Sequence, residues 1–388
     1  MDFALIPDQE RLRADVRSLC TRFPNDYWRA LDRERAYPER FVQALTEAGY
    51  LSALIPSTYG GLGLGVTEAS IILEEINRSG GHSAACHAQM YVMGALVRHG
   101  SEAQKGHWLP QVARGELRFQ AFSVTEAEAG SETTAITTTA VRDGDGWIVN
   151  GHKNWTSRIE QSDLLLLLAR TTPREGLTDR TRGLSLFLID LRAAREQEAL
   201  EVRPVRTMFN YETYQVTYRN LRLPADALIG EEGMGFRYVI DGWNAERILL
   251  AAECIGDGRW FVERASAYAR QREVFGRPIG ANQGVQFPLA RAHAQIEAAD
   301  LLRWKAAWLF DQGAKSGAEA NMAKLLASEA SWAAANACLD THGGNGFVDE
   351  YDVERKFRET RLFQVAPVNN NLVLAYVGTH VLGLPRSY

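Results

Sequence analysis

Apolar positions in the first third of the chain recur at helical spacing. "YPERFVQALTEAGYL" (37–51) carries them three and four apart and stops near Gly49, and Pro7-Asp8 offers an opening for an earlier helix. In "TEASIILEEINRSGG" (67–81), Thr67 is the expected cap, Glu68 sits in the first turn, and Gly80-Gly81 ends the run. "SAACHAQMYVMGALVRHG" (83–100) is apolar or small on most sides, which predicts a buried helix facing a core or a pocket. Near residue 117 the period changes. "TTTAVRDGDGWIVNGHKNW" (137–155) has two Asp-Gly steps between β-rich runs, a hairpin signal. "DLLLLLA", "LSLFLID", "LEVRPV" and "TYQVTYRNLRLP" continue as strands with no helix-length pattern between them, so an antiparallel sheet or small barrel is expected rather than a Rossmann unit. From 232 helices return, and those over 285–313 and 319–344 exceed the usual globular length, which suggests a four-helix bundle. The expected fold is α+β: a helical domain over 1–116, an antiparallel β-domain over 117–231 and a helical bundle over 232–388.

One stretch of the last region resists a simple reading. In "WNAERILLAAECIG" (243–256), Glu246 shares a helical stripe with Leu250, Glu253 and Asp257, while Ile248, Leu249, Ala252 and Ile255 fall elsewhere. Taken alone the stripe is a solvated face, because ionised carboxylates are rarely buried.

Composition narrows the function classes. A net charge of −5 gives no basic footprint for nucleic acid. No apolar run is long enough to span a bilayer, and the start "MDFALIPDQERLRADV" lacks the two regions of a signal peptide, so a cytoplasmic protein without membrane contact is expected. Cys20, Cys86, Cys254 and Cys338 form no CxxC pair, and the histidines of "HSAACH" (82–87) fall on different helix faces, so no metal site is indicated.

"FSVTEAEAGSETTAI" (122–136) is dense in hydroxyls and small residues around Gly130; it reads either as a plain Ser/Thr-rich turn or as backbone and hydroxyls free to bind a flat polar ring or a phosphate. GxxxxGK[ST], GxSxG and HExxH are absent, and "YGGLGLG" (59–65) has the wrong spacing for a nucleotide loop. Four segments taken together decide more than any one of them. "FSVTEAEAGSE", "VNGHKNWTSR" (149–158), "RQREVFGRPIGANQ" (270–283) and "THGGNGF" (341–347) stand in an order and at separations that resemble the acyl-CoA dehydrogenase flavoproteins over essentially the whole chain.

The resemblance implies FAD between the β-domain and the C-terminal helices. Phe122, Val124 and Thr125 would line the isoalloxazine ring, Trp155 would cover part of it, and Ser157 would stand where the family usually has a threonine bonded to the reactive flavin nitrogen. Arg272, Phe275 and Gln283 match residues that reach the FAD of a neighbouring subunit, with Gly343 and Gly344 close to the same cofactor and Asn369 and Asn371 as further FAD contacts. A homo-oligomer, tetramer or dimer, is thereby implied. Ser131, Asn244 and Arg247 match positions near an acyl-CoA substrate.

Two departures stand out. The family's catalytic glutamate lies in a C-terminal "YEGT"-like segment, but the matching "FQVAPVNN" (363–370) has Pro367 there and no carboxylate follows. A minority branch, including isovaleryl-CoA and long-chain acyl-CoA dehydrogenases, carries its base immediately before an arginine on the first long C-terminal helix. Glu246-Arg247 fall on that position, so the resemblance reverses the first reading of the stripe and makes Glu246 the expected base. Pro367 also lacks the N–H that the family uses to hold the thioester carbonyl. Either another N–H serves, or another group replaces it, or the chemistry differs. Tyr214 stands where many members have an arginine, with no consequence attached.

The expected activity is α,β-dehydrogenation of an acyl-CoA to a trans-2-enoyl-CoA, with electrons passed to electron-transfer flavoprotein. The alternative keeps FAD but changes the reaction to that of an oxidase, a monooxygenase or a lyase-like enzyme. A non-catalytic acyl-CoA-binding scaffold is the third reading, and retention of Phe122, Thr125, Trp155 and Ser157 argues against it. The acyl group is left open: Met90, Tyr91 and Met93 suit a bulky, adaptable pocket lining and core packing equally.

Overall fold

Helices fill the first part of the chain, which the computed structural model describes from residue 4 to residue 386. They are α1 (Pro7–Cys20), α2 (Asn25–Glu34), α3 (Glu39–Glu47), α4 (Val66–Arg78), α5 (Ala88–His99) and α6 (Glu102–Ala113). The cap of α4 differs from expectation. Thr67 lies inside the first turn, and the cap residue is Gly65. The carboxylate of Asp311, from the far end of the chain, accepts the N–H groups of Val66 and Thr67 at 2.7 and 2.9 Å. A full negative charge on orphan N–H groups at the positive end of a helix outcompetes a local hydroxyl.

The middle region holds β1 (Ala121–Ser123), β2 (Thr139–Asp143), β3 (Gly146–Ser157), β4 (Leu164–Arg170), β5 (Leu184–Asp190), β6 (Leu200–Val205), β7 (Thr213–Leu223) and β8 (Leu228–Ile229). Their order is β6-β7-β3-β2-β4-β5-β8, with β1 beside β4. The sheet is mixed rather than purely antiparallel, because β1 and β2 both run parallel to β4. A short helix, α7 (Leu191–Glu196), which the strand pattern does not predict, follows β5. Every residue of β4 is buried, as its unbroken leucine run requires of a strand covered on both faces. Leu164, Leu166 and Leu168 pack with α5 and α6, while Leu165 and Leu167 join a second core with Trp147 and Phe187.

Three long helices follow: α8 (Gly235–Gln271), α9 (Gln283–Asp311) and α10 (Gly317–His342). The short α11 (Val353–Thr360) and α12 (Asn370–Tyr376) follow, α12 running on into a π-helical turn over Val377–Val381, and a hairpin of β9 (Glu273–Val274) and β10 (Arg277–Pro278) joins α8 to α9. The three long helices pack on one another, and α4 lies along α8 and α9, so Ile72 and Leu73 share one core with Leu249, Ile255, Phe261 and Ile296. Through that core runs a buried ionic cluster in which Arg303 donates to Glu74 at 2.7 Å and Arg259 also pairs with Glu74. Among the described residues, no helix is long and apolar enough to cross a membrane.

Candidate active site

Glu246 lies about three turns into α8 and is only 5 % exposed. Leu250, Glu253 and Asp257 on the same stripe are buried as well, which overturns the solvated-face reading. Each deeper acid has a cationic or hydrogen-bonding partner. Glu253 Oε1 lies 2.6 Å from His87 Nδ1, and Asp257 Oδ1 lies 2.5 Å from Lys356 Nζ. One Glu246 carboxyl oxygen has no hydrogen-bond partner among the described residues. Burial pushes the Glu246 carboxyl up to about 7, an effect opposed by the adjacent Arg247 charge and the Tyr91 hydroxyl and reinforced by Glu253.

Tyr91 and Arg247 stand nearest this carboxyl, and the C-terminal segment is tied down separately. Tyr91 comes from α5, and burial raises its own hydroxyl well above the ordinary tyrosine range, with the Glu246 charge adding to the effect. Arg247 is buried and donates to Asn244 Oδ1 at 3.3 Å. The segment after Pro367 is gripped by Lys324, a fully buried residue of α10 whose ammonium donates to Val368 O and Asn370 Oδ1, both at 2.7 Å. Asn369 reaches across to the β-domain, where its Nδ2 donates to Ser131 Oγ at 3.3 Å.

The β-domain contributes a wall. Phe122 and Thr125 are half-buried and Val124 is buried. The β3–β7 register shifts between Lys153 and Thr156, and Trp155 at φ +61° stands on that irregularity, the residue 57 % exposed. Ser157 Oγ lies 3.3 Å from both the Tyr211 hydroxyl and Thr213 Oγ1. Behind the wall, Lys153 is fully buried, donates to Val124 O at 2.7 Å and pairs with Glu126 at 3.0 Å.

A second, exposed surface carries the remaining expected FAD contacts. Arg272 and Gln283 flank the β9–β10 hairpin, and Phe275, at φ +54°, is wholly exposed at its turn. Gly343 and Gly344 lie near the same end of α8, since His342 stacks on Tyr268 and Asn345 donates to the Tyr268 hydroxyl. A Cβ on either glycine would meet nothing within 4 Å, so the backbone there is open to close approach. Asn371 is exposed at the start of α12. An exposed indole, hydroxyls at a strand end and a bare glycine backbone fit a flat ring with a phosphate-bearing tail.

Met90 and Met93 are placed as core packing predicts. Both are fully buried in core clusters, while Tyr91 lies against Glu246. Sequence reasoning missed the His87–Glu253 pair, Tyr211, Lys324 and the Lys153–Glu126 pair. Lys153 and Glu126 stand inside motifs whose flavin-facing neighbours carry the resemblance, whereas the partners of His87, Tyr211 and Lys324 lie far away in sequence.

Sequence profiles match in three consecutive parts: "Acyl-CoA dehydrogenase, N-terminal domain" over 6–116, "middle domain" over 121–221 and "C-terminal domain" over 233–376. The chain belongs to the acyl-CoA dehydrogenase family. It is 37 % identical over 396 residues to the acyl-CoA dehydrogenase FadE12 of Mycobacterium tuberculosis, covering 100 % of both chains. A glutaryl-coenzyme A dehydrogenase solved in complex with glutaryl-CoA superposes with a TM-score of 0.92 at 30 % identity, covering 100 % of this chain and 98 % of that one. The prolyl acyl carrier protein oxidase AnaB superposes with a TM-score of 0.89 at 25 % identity, over 98 % and 100 % of the two chains. As a member of the acyl-CoA dehydrogenase family the chain is a flavoprotein oxidoreductase with the α, β, α architecture of that family.

Proposed function

We propose that the protein is an FAD-dependent dehydrogenase that converts an acyl-CoA thioester to its trans-2-enoyl-CoA, with Glu246 as the base. The observation that carries this reading is a buried carboxyl with a free oxygen, held near neutrality by its surroundings, immediately before a buried arginine. A base of that kind is ionised at working pH yet basic enough to accept a proton.

Phe122, Val124, Thr125, Trp155 and Ser157 would hold the ring of FAD, and Asn369 and Asn371 would add contacts to the cofactor. Arg272, Phe275, Gln283, Gly343 and Gly344 would hold the FAD of a second copy, so the active protein is a homo-oligomer. Exposed Phe275, Phe287, Leu301 and Trp308 on the hairpin and α9 support that reading, because so many bare apolar side chains suit an interface. FAD, when bound, supplies an acceptor for the hydride that leaves the β-carbon. The chain's own part is to place the substrate and remove the α-proton. Ser131 and Asn244 would orient the pantetheine arm and thioester, and Arg247 would keep the ionised Glu246 accessible in energy. Electron-transfer flavoprotein is the proposed electron acceptor, residues 1–116, 117–231 and 232–388 are the proposed domains, and a cytoplasmic location is proposed with them.

Oxidase chemistry is the second reading, favoured by Pro367 at the carbonyl-binding position and by the likeness to an acyl carrier protein oxidase. Anaerobic mixing with short, branched and medium acyl-CoAs separates the two. Loss of the oxidised flavin absorbance with one of them, without oxygen consumption in air, supports the dehydrogenase. Flavin that no acyl-CoA bleaches overturns it, and rapid oxygen consumption moves the assignment to an oxidase.

A further inference from the structure

β3 ends at Ser157, and the chain turns sharply at Arg158, whose φ of +58° is a left-handed value that residues other than glycine rarely adopt. Hydrogen bonds hold the turn: the Arg158 N–H donates to Glu212 O at 3.0 Å, and its carbonyl accepts from Gln161 N at 3.1 Å and Ser162 Oγ at 2.7 Å. The side chain is 1 % exposed, yet none of its guanidinium nitrogens has a hydrogen-bond partner among the described residues. The guanidinium carbon lies instead over the Tyr211 ring, 4.6 Å from its centre, and the Tyr211 hydroxyl is 3.3 Å from Ser157 Oγ. A guanidinium does not lose its proton in a protein, so this buried positive charge is permanent.

Neighbouring acids do not cancel it by direct pairing. Beside Arg158 lies a cavity of about 20 Å³, room for a water, which leaves little solvent to screen the charge. Of the acids lining that cavity, Asp32 is bound by Arg358 at 2.6 Å, and Glu359 by Arg355 at 2.9 Å and Lys356 at 3.3 Å. Burial holds the His82 imidazole there down at about 3, so it adds no charge. Glu212 is the remaining acid, and it attracts Arg158 without a hydrogen bond to it. Lys153, another buried cation of the same wall, is by contrast paired with Glu126 at 3.0 Å.

We propose that Arg158 sets the reduction potential of the bound flavin, its unpaired charge behind Tyr211 and Ser157 favouring the reduced form. This inference rests on the reading of the Ser157 wall as the flavin site. The sign follows from charge balance. A hydride brings two electrons and one proton to the ring, which thereby gains one negative charge, and a fixed positive charge across a dry layer stabilises that product. Arg158 touches neither ring nor substrate on this reading, and its field acts with Tyr211 and Ser157 in between.

The test is an anaerobic reductive titration of the FAD-loaded protein with dithionite against a reference dye, with no acyl-CoA present. Arg158→Gln lowers the two-electron midpoint by about 30 mV, on the order of tenfold in the equilibrium between oxidised and reduced flavin, the effect of one charge felt across a few side chains at an effective dielectric of roughly 20. Arg158→Lys keeps the charge and holds the midpoint near the wild-type value, a rescue that a packing role would not give. A midpoint unmoved in Arg158→Gln, or lowered as far in Arg158→Lys, overturns the proposal. If Arg158→Gln does not accumulate with flavin, Glu212→Gln decides, because removing the acid that attracts Arg158 leaves more of its field for the ring. A raised midpoint in that variant supports the proposal, and one that is unmoved or lowered overturns it. A wild-type protein that binds no FAD, or a Ser157→Ala variant with an unchanged flavin spectrum, sinks the flavin site instead, and that outcome is separate from these.

Discussion

The Lys153 ammonium lies 3.0 Å from the Glu126 carboxylate, with both side chains buried directly behind the wall proposed to carry the flavin ring. Glu126 also accepts the N–H groups of Thr137 and Thr138 at 2.6 and 2.8 Å. Burial alone would raise its carboxyl, but Lys153 and these donors outweigh that and hold it down at about 2. The pair therefore fixes the 124–126 turn against β3 from below, leaving the upper side of the turn free.

Lys153→Met is expected to destabilise the protein by about 3–5 kcal/mol, the usual effect of stranding one buried ion. Glu126 also makes an acid-sensitive contribution. Its folded value lies below the unfolded one, so its stabilisation is present above roughly pH 4.5 and disappears as pH falls toward about 2. Urea midpoints measured across that window should fall in the wild type and change less in Glu126→Gln.

Glu246 has the opposite sign. Its folded value, about 7, lies above the unfolded one, so ionising it opposes folding as pH rises from about 4.5 through 7. Glu246→Gln should therefore match the wild type in stability below that window and exceed it at pH 8 by up to about 3 kcal/mol. The same change should slow anaerobic flavin bleaching by at least about 10²–10⁴, the range of a general base. Thermal unfolding at two pH values and stopped-flow absorbance check both halves.

Much of this arrangement is legible in the chain because local periodicity and family motifs report on it. The Asp-Gly steps mark the β2–β3 hairpin, and the leucine run marks the strand β4. The Glu246 stripe shows where local pattern fails. Glu246, Glu253 and Asp257 have the spacing of a solvated face, and only partners on α5 and α11 make it a buried one. The cap of α4 fails in the same way, since Asp311 is invisible to any reading of residues near Thr67. Long-range polar pairing leaves no periodic trace in sequence.

The Ser157 hydroxyl is held by two others, from Tyr211 and Thr213. A serine lacks the methyl that restricts a threonine rotamer, and these neighbours supply the restriction instead. Ser157→Ala is expected to retain FAD with a displaced visible spectrum and to bleach slower by on the order of 10², as when one preorganised donor is removed. Tyr211→Phe should show a smaller effect in the same direction. Equal spectra and rates in wild type and Ser157→Ala would remove the hydroxyl from the proposed flavin contacts.

Pro367 leaves the thioester carbonyl without the family's usual donor, and the grip of Lys324 points to a replacement. In a planar trans peptide the carbonyl of one residue and the N–H of the next point in opposite directions. Lys324 draws Val368 O into the bundle, so the Asn369 N–H faces the other way, and no acceptor among the described residues takes it. The Asn369 side chain, bonded to Ser131, marks that side as the one facing the proposed substrate. Asn369 has φ −67°, a value proline adopts without strain. Asn369→Ala and Asn369→Pro both lose the side chain, but only the proline variant loses the N–H. If this N–H binds the carbonyl, bleaching by an acyl-CoA should be slower in Asn369→Pro than in Asn369→Ala by on the order of 10²–10³. The infrared carbonyl stretch of the bound thioester should shift toward its free value only in the proline variant. Equal rates and equal stretches would assign the carbonyl to another donor. Lys324→Met then tests the grip itself, because releasing Val368 should weaken the same infrared shift without removing any group that touches substrate.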